Sequence, residues 1–92
     1  MAERAPSPET LIARHIRRHP HKPGRTEAVL RDYPVSVWAL AGYFQVNGRD
    51  GIKDAIDGFR ISRQAAEAAY AYYLKHQLHF DARLEDQLLI AT

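Results

Sequence analysis

Arg63 and Gln64 directly follow Ser62, where an alanine-rich run to Tyr73 begins. Arginine and glutamine both offer paired hydrogen-bonding groups that match base edges in the DNA major groove. A serine just before a helical run can cap the free backbone N–H groups of its first turn. Ser62, Arg63 and Gln64 together therefore fit the start of a recognition helix, the part that contacts bases in a helix-turn-helix. The same residues would look no different on the surface of an ordinary helix. Arg60, in the turn just before, has two readings: a strained left-handed residue whose guanidinium reaches a phosphate, or a solvated arginine in an unstrained turn. Upstream, Arg14, Arg17, Arg18, Lys22 and Arg25 form a basic arm that could neutralise phosphates. Glu67, one turn beyond Arg63, would repel phosphates unless it binds an arginine or reads a cytosine amine.

Other chemistries are poorly supplied. The chain has no cysteine, which removes disulfides, thiolate metal sites and a cysteine nucleophile. His15, His19 and His21 are close in sequence, and His76 and His79 are three apart on an expected helix, but a third ligand other than Asp81 is lacking; solvated or core-edge histidines are the preferred reading. Ser7, Ser36 and Ser62 all sit at helix starts, where capping explains them, and no paired carboxylates occupy an apolar setting. Tyr70, Tyr72 and Tyr73 could stack nucleobases, but amphipathic core or interface residues are the simpler reading. No metal, cofactor or enzymatic activity is expected.

The elements that would position these residues follow from spacing. Ile52, Ala55, Ile56 and Phe59 fall on one helical face, with Asp50 as the expected N-cap, and a turn through Phe59, Arg60 and Ile61 leads to the second helix. Small residues at Ala65, Ala66, Ala68 and Ala69 let helix backbones approach closely. This is a helix-turn-helix or, equally well, a plain helical hairpin in a small bundle. A preceding helix starts at Ser36, with Val37, Leu40, Ala41 and Phe44 on one face, and ends at Asn47-Gly48. Residues 1–8 read as a disordered tail, and 9–92 as one domain. Ser7-Pro8-Glu9 is a good helix start, yet the alternation through Leu11 to Ile16 equally allows a strand. A short β-element is expected from Val29 to Tyr33, before Pro34. Past Tyr73, one long helix and two segments bent near His79 to Asp81 are both allowed.

Ninety-two residues, 46% of them hydrophobic, suit one modest core. Residues 1–31 hold seven Lys or Arg against three acids, a net +4, while 32–92 hold six against eight, a net −2. The positive charge thus lies in the arm, which is expected to be flexible, and the helix-turn-helix itself is nearly neutral. Trp38, Phe44, Tyr70, Tyr73, Leu78, Leu84 and Leu88 exceed what so short a chain buries easily, so they are expected to form an oligomer interface. No stretch is apolar enough to span a bilayer and the start has no secretory-signal core, so a soluble cytoplasmic protein without membrane contact is expected.

Val35-Ser36-Val37-Trp38-Ala39-Leu40, the segment Ala55 to Ser62, and Glu67-Ala68-Ala69-Tyr70-Ala71-Tyr72-Tyr73 followed by His76 and Phe80-Asp81-Ala82-Arg83 resemble the bacterial domain-of-unknown-function family four-three-three. The likeness spans roughly residues 24 to 84. It implies a homeodomain-like helix-turn-helix after a short N-terminal β-element, and a role similar to antitoxins of type II toxin-antitoxin pairs, with a PIN-like nuclease toxin as partner. This chain departs from that pattern in having Ser36 where proline is frequent, and Arg60 where glycine is common. The expected fold is mainly α: a three-helix helix-turn-helix core with a small N-terminal β-element and an extended C-terminal helix. The expected function is a non-enzymatic, dimeric DNA-binding regulator of antitoxin type; the alternative is a protein-interaction module that does not meet DNA.

Overall fold

Ser7 accepts a hydrogen bond from the Thr10 N–H on its side chain, and Pro8 follows at the first helical position, so a helix starts where the sequence allowed either helix or strand. This is α1, Pro8–His15, the opening element of the computed structural model, which describes residues 6–91 and side chains through Asp86. Residues 1–5 of the expected tail lie outside the described residues, and Pro8, assigned to that tail, is helical. Beyond α1 the chain extends into β1, Ile16–Arg17, which pairs antiparallel with β2, Val29–Leu30, in the register Ile16 opposite Leu30. The β-element expected over Val29 to Tyr33 is thus two residues long. Leu30 donates to the Val35 carbonyl and Val35 to that of Tyr33, closing a tight turn that includes Pro34, which has no N–H for a ladder.

The helical core follows as α2, Val37–Asn47, α3, Gly51–Phe59, α4, Arg63–Lys75, and α5, Gln77–Ala91. The structure is therefore mainly α with a small N-terminal sheet. Ser36 caps α2 by accepting from the Ala39 N–H, and Ser62 caps α4 by accepting from the Ala65 N–H. Asp50 does not cap α3 with its side chain. A single 3-10 turn, Gly48–Asp50, carries α2 into α3, Asp50 itself has helical backbone angles, and the next N–H is taken by carbonyls of that turn. The bend after Tyr73 falls at His76, a few residues earlier than His79 to Asp81.

The helices α1, α2 and α3 all pack on α4. Ala65, Ala66, Ala68 and Ala69 are essentially inaccessible and meet Val37, Leu40, Ala41, Phe44, Ile52, Ala55 and Ile61 in one cluster, into which Leu11 and Ile12 of α1 also pack. With so little side chain on α4, neighbouring backbones come close. The α2–α3 corner is as tight: a Cβ on buried Gly51 would stand 2.6 Å from the Tyr43 carbonyl oxygen. The start of α5 is tied down by fully buried Phe80 and by Asp81, which accepts from the Tyr73 hydroxyl at 2.7 Å. Burial, reinforced by that carboxylate, pushes the Tyr73 phenol well above its ordinary range. Arg83 completes the anchorage, pairing with Glu27 at 2.8 Å while its guanidinium lies 4.2 Å over the Trp38 ring.

Two consequences can be measured. Gly51→Ala should cost about 1–3 kcal/mol, because a backbone contact cannot yield as a side chain would; a lower urea midpoint at unchanged slope would show it. The His76 imidazole, whose ring centroid lies 4.6 Å from that of Tyr72, is held below its ordinary 6.5 by burial and then by Arg25. The unfolded chain therefore takes up this proton first as pH falls below 6.5, so the contribution is complete above that value and declines as pH falls toward the folded-state value. Melting temperature should drop from about pH 7 to about pH 5, and His76→Gln should reduce that drop.

Candidate nucleic-acid interface

The link between α3 and α4 has the form expected of a helix-turn-helix. α3 closes at Phe59, Arg60 takes the left-handed conformation at φ 55° and ψ 44°, and Ser62 is extended. The backbone of Arg60 is left-handed, as one of its two readings expected; it is the only non-glycine residue with positive φ among the described residues. Its N–H donates to the Ile56 carbonyl, closing α3 as a glycine would, while its side chain is exposed. Arg63 and Gln64 are both exposed on the first turn of α4. Ser62 Oγ accepts the capping bond and its backbone N–H donates to the Tyr33 hydroxyl at 3.1 Å, which leaves the serine O–H free to donate outward.

Glu67 meets the condition that makes it tolerable beside phosphate. Its carboxylate pairs at 2.9 Å with Arg49, which reaches over from the 3-10 turn before α3. Arg60 and Arg63, which flank the start of α4 in sequence, form no ion pair among the described residues. Arg49 was not among the expected site residues, because an i to i+18 pairing has no signature in sequence.

Part of the basic arm is folded onto the core. Arg14 lies on the exposed side of α1, Arg17 on β1, Arg18 and Lys22 in the following loop, and Arg25 in a 3-10 turn, Arg25–Glu27. Leu11, Ile12, Ile16 and Leu30 hold these elements to the core, and α1 packs chiefly on α4. All five cations remain solvent-exposed. Tyr33 connects the two basic regions: its ring lines a groove with Arg17 and Lys22, and its hydroxyl touches Ser62 at the start of α4.

Two of the residues expected at an oligomer interface are buried inside the protomer. Phe44 and Tyr73 are 2% exposed and belong to the protomer's own core, where their ring centroids stand 5.7 Å apart. Tyr70 packs edge-on against Phe44, Leu84 is half-buried against the core and the half-buried Trp38 carries the Arg83 guanidinium on one ring face. Among the expected interface residues with described side chains, only Leu78 stands clear of the core, and the side chain of Leu88 lies outside the described residues. These rings find partners internally because the alanines of α4 leave room for them.

Tyr72 and His19 hold backbone segments by hydrogen bonds. Tyr72 donates to the Arg25 carbonyl at 2.6 Å, and burial raises its phenol above the ordinary value. His19 Nδ1 accepts from the His21 and Lys22 N–H groups. Among the described residues no three His, Asp or Glu side chains converge as a metal site would require, and no helix is long and apolar enough to cross a membrane. Comparison with known proteins finds no matching family model, no similar curated protein and no similar solved structure.

A left-handed arginine is strained where glycine is not. Arg60→Gly should therefore raise stability by about 1 kcal/mol. A higher urea midpoint would show it, and an unchanged or lower one would mean that the arginine side chain makes stabilising contacts that offset its backbone cost.

Proposed function

We propose that this chain is a non-enzymatic regulator that presents the first turn of α4 to duplex DNA. The observation that carries the reading is the exposure of Arg63 and Gln64 directly after a capped, left-handed helix-turn-helix link. In that position the two side chains would read base edges, while Arg60 and the Ser62 hydroxyl would meet the phosphates alongside. Arg14, Arg17, Arg18, Lys22 and Arg25 would add phosphate contacts from a fixed platform, which spares the ordering cost a flexible arm would incur. The three helix-start serines support a non-enzymatic role, since each hydroxyl is used as a cap. An antitoxin-like role, a homodimer, a PIN-like nuclease partner and a cytoplasmic location belong to the same proposal; the first and third rest on the family resemblance.

A second reading, a protein-interaction module, is favoured by one observation: Val46, Leu74 and Leu78 are 79%, 48% and 84% exposed. Exposed apolar side chains of this size suit a partner surface when they lie together. Light scattering together with DNA titration separates the readings, since the module alone predicts assembly without duplex affinity.

Binding of fluorescent duplexes, the DNA upstream of the chain's own gene against a scrambled control, should show two separable effects. Arg63→Ala should cost about 1–3 kcal/mol on the specific site and little on the control. Neutralising Arg17, Arg18 and Lys22 should weaken both and flatten the salt dependence by about 0.9 per lost phosphate contact. Neutralisation is the appropriate change, because truncating the chain through Lys22 would remove α1 and β1 from the core. Equal, weak binding of both duplexes by the folded protein would leave the interaction module as the function.

A further inference from the structure

The groove beside β1 sets two of the cations proposed to meet DNA phosphates, Arg17 and Lys22, opposite aromatic side chains that the helix-turn-helix reading does not use. One wall is the end of β1 with the loop after it, which carry Arg17, His19 and Lys22; the other is formed by Tyr33, Val35 and Trp38. Its volume is about 520 Å³, which lies in the range of small-molecule sites. Neither Arg17 nor Lys22 forms an ion pair among the described residues. The acid in the lining, Glu27, is already neutralised by Arg83 at 2.8 Å. The groove is therefore positive along one wall and aromatic along the other.

The cationic wall is also preformed. Pro20 and Pro23 restrict the loop backbone, and His19 Nδ1 accepts N–H bonds from His21 and Lys22 at 3.0 Å each, closing the turn. A neutral imidazole that accepts at Nδ1 carries its proton on Nε2, so His19 has a donor left over. Opposite, Tyr33 is tethered by its hydroxyl to Ser62, and Trp38 is held by the Arg83 guanidinium on its ring. An anion with a flat aromatic body fits this division: phosphate against Arg17, Lys22 and the His19 donor, base against Tyr33 and Trp38.

We propose that the groove between the loop after β1 and the Tyr33–Trp38 wall binds a nucleoside 5′-phosphate, either free or as one residue of a single strand. The site shares Arg17 and Lys22 with the proposed duplex phosphate contacts, but it does not require base reading by α4. Trp38 is the only tryptophan in the chain, so its emission reports on the groove directly. Adenosine 5′-monophosphate should quench it, and adenosine, without the phosphate, should bind about tenfold or more weakly, since charge-assisted bonds supply the affinity. Reversing Arg17 and Lys22 to glutamate together should weaken the nucleotide by a similar factor, and the neutral Arg17→Gln, Lys22→Gln pair by less. Lys53→Glu, an equal charge change on the exposed face of α3, should leave quenching unchanged. Far-ultraviolet circular dichroism of each variant checks that it is folded. A single-stranded oligoadenylate identifies the source: affinity equal to that of the mononucleotide means a free nucleotide, and much tighter binding means a strand. Absence of quenching by both, equal binding of adenosine, or insensitivity of the folded glutamate pair would overturn the proposal.

Discussion

The close approach of neighbouring backbones to the alanine face of α4 is the constraint on which the rest of this structure depends. Ala65, Ala66, Ala68, Ala69 and Tyr73 cover about 160° of that helix at 3.6 residues per turn, and all five are buried. Because four of them are alanines, α1, α2 and α3 can all pack on one short helix, and the large rings of Phe44, Tyr73 and Phe80 fill the space at its end. The arc that remains open begins at Arg63 and Gln64. Burial of one side thus fixes what the other side offers: a first turn with an arginine and a glutamine, at a fixed angle to α3. Replacing one of the alanines by a larger residue would force these backbones apart and move that first turn with them.

The periodic parts of this arrangement were legible in the sequence. Ile52, Ala55, Ile56 and Phe59 define α3, Ser36 and Ser62 mark the starts of α2 and α4, and Gly48 marks the end of α2, each through local chemistry that requires no knowledge of the rest of the chain. Asp50 shows where such reasoning stops. It has the right residue type in the right place, but the 3-10 turn leading into α3 satisfies the first N–H groups through backbone carbonyls, and its carboxylate is left free of that task. The alternation through Leu11 to Ile16 was ambiguous because the segment is both, helical to His15 and extended after it.

Long-range contacts were not legible, and they decide the site. Arg49 neutralises Glu67 across 18 residues, Tyr33 reaches Ser62 across 29, and Arg83 joins α5 to Glu27 and to the Trp38 ring. None leaves a spacing to read. Counting Phe44 and Tyr73 as surplus apolar residues failed for a related reason: a helix of small side chains gives a core more room for rings than length alone suggests. The arm looked flexible because its composition is polar and Pro-containing, whereas four apolar residues, Leu11, Ile12, Ile16 and Leu30, pack its helix and the two short strands against the core.

The central claim is that the exposed first turn of α4 is the surface that meets DNA, and backbone amide chemical shifts test it most directly. On titration with duplex from upstream of its own gene, the account predicts the largest changes at Arg60 to Gln64 and at Arg49, smaller ones along Arg14 to Arg25, and almost none at Ala68, Ala69 and Tyr73. Changes confined to α5 and the outer side of α2, or none at any amide while the protein remains folded, would contradict it.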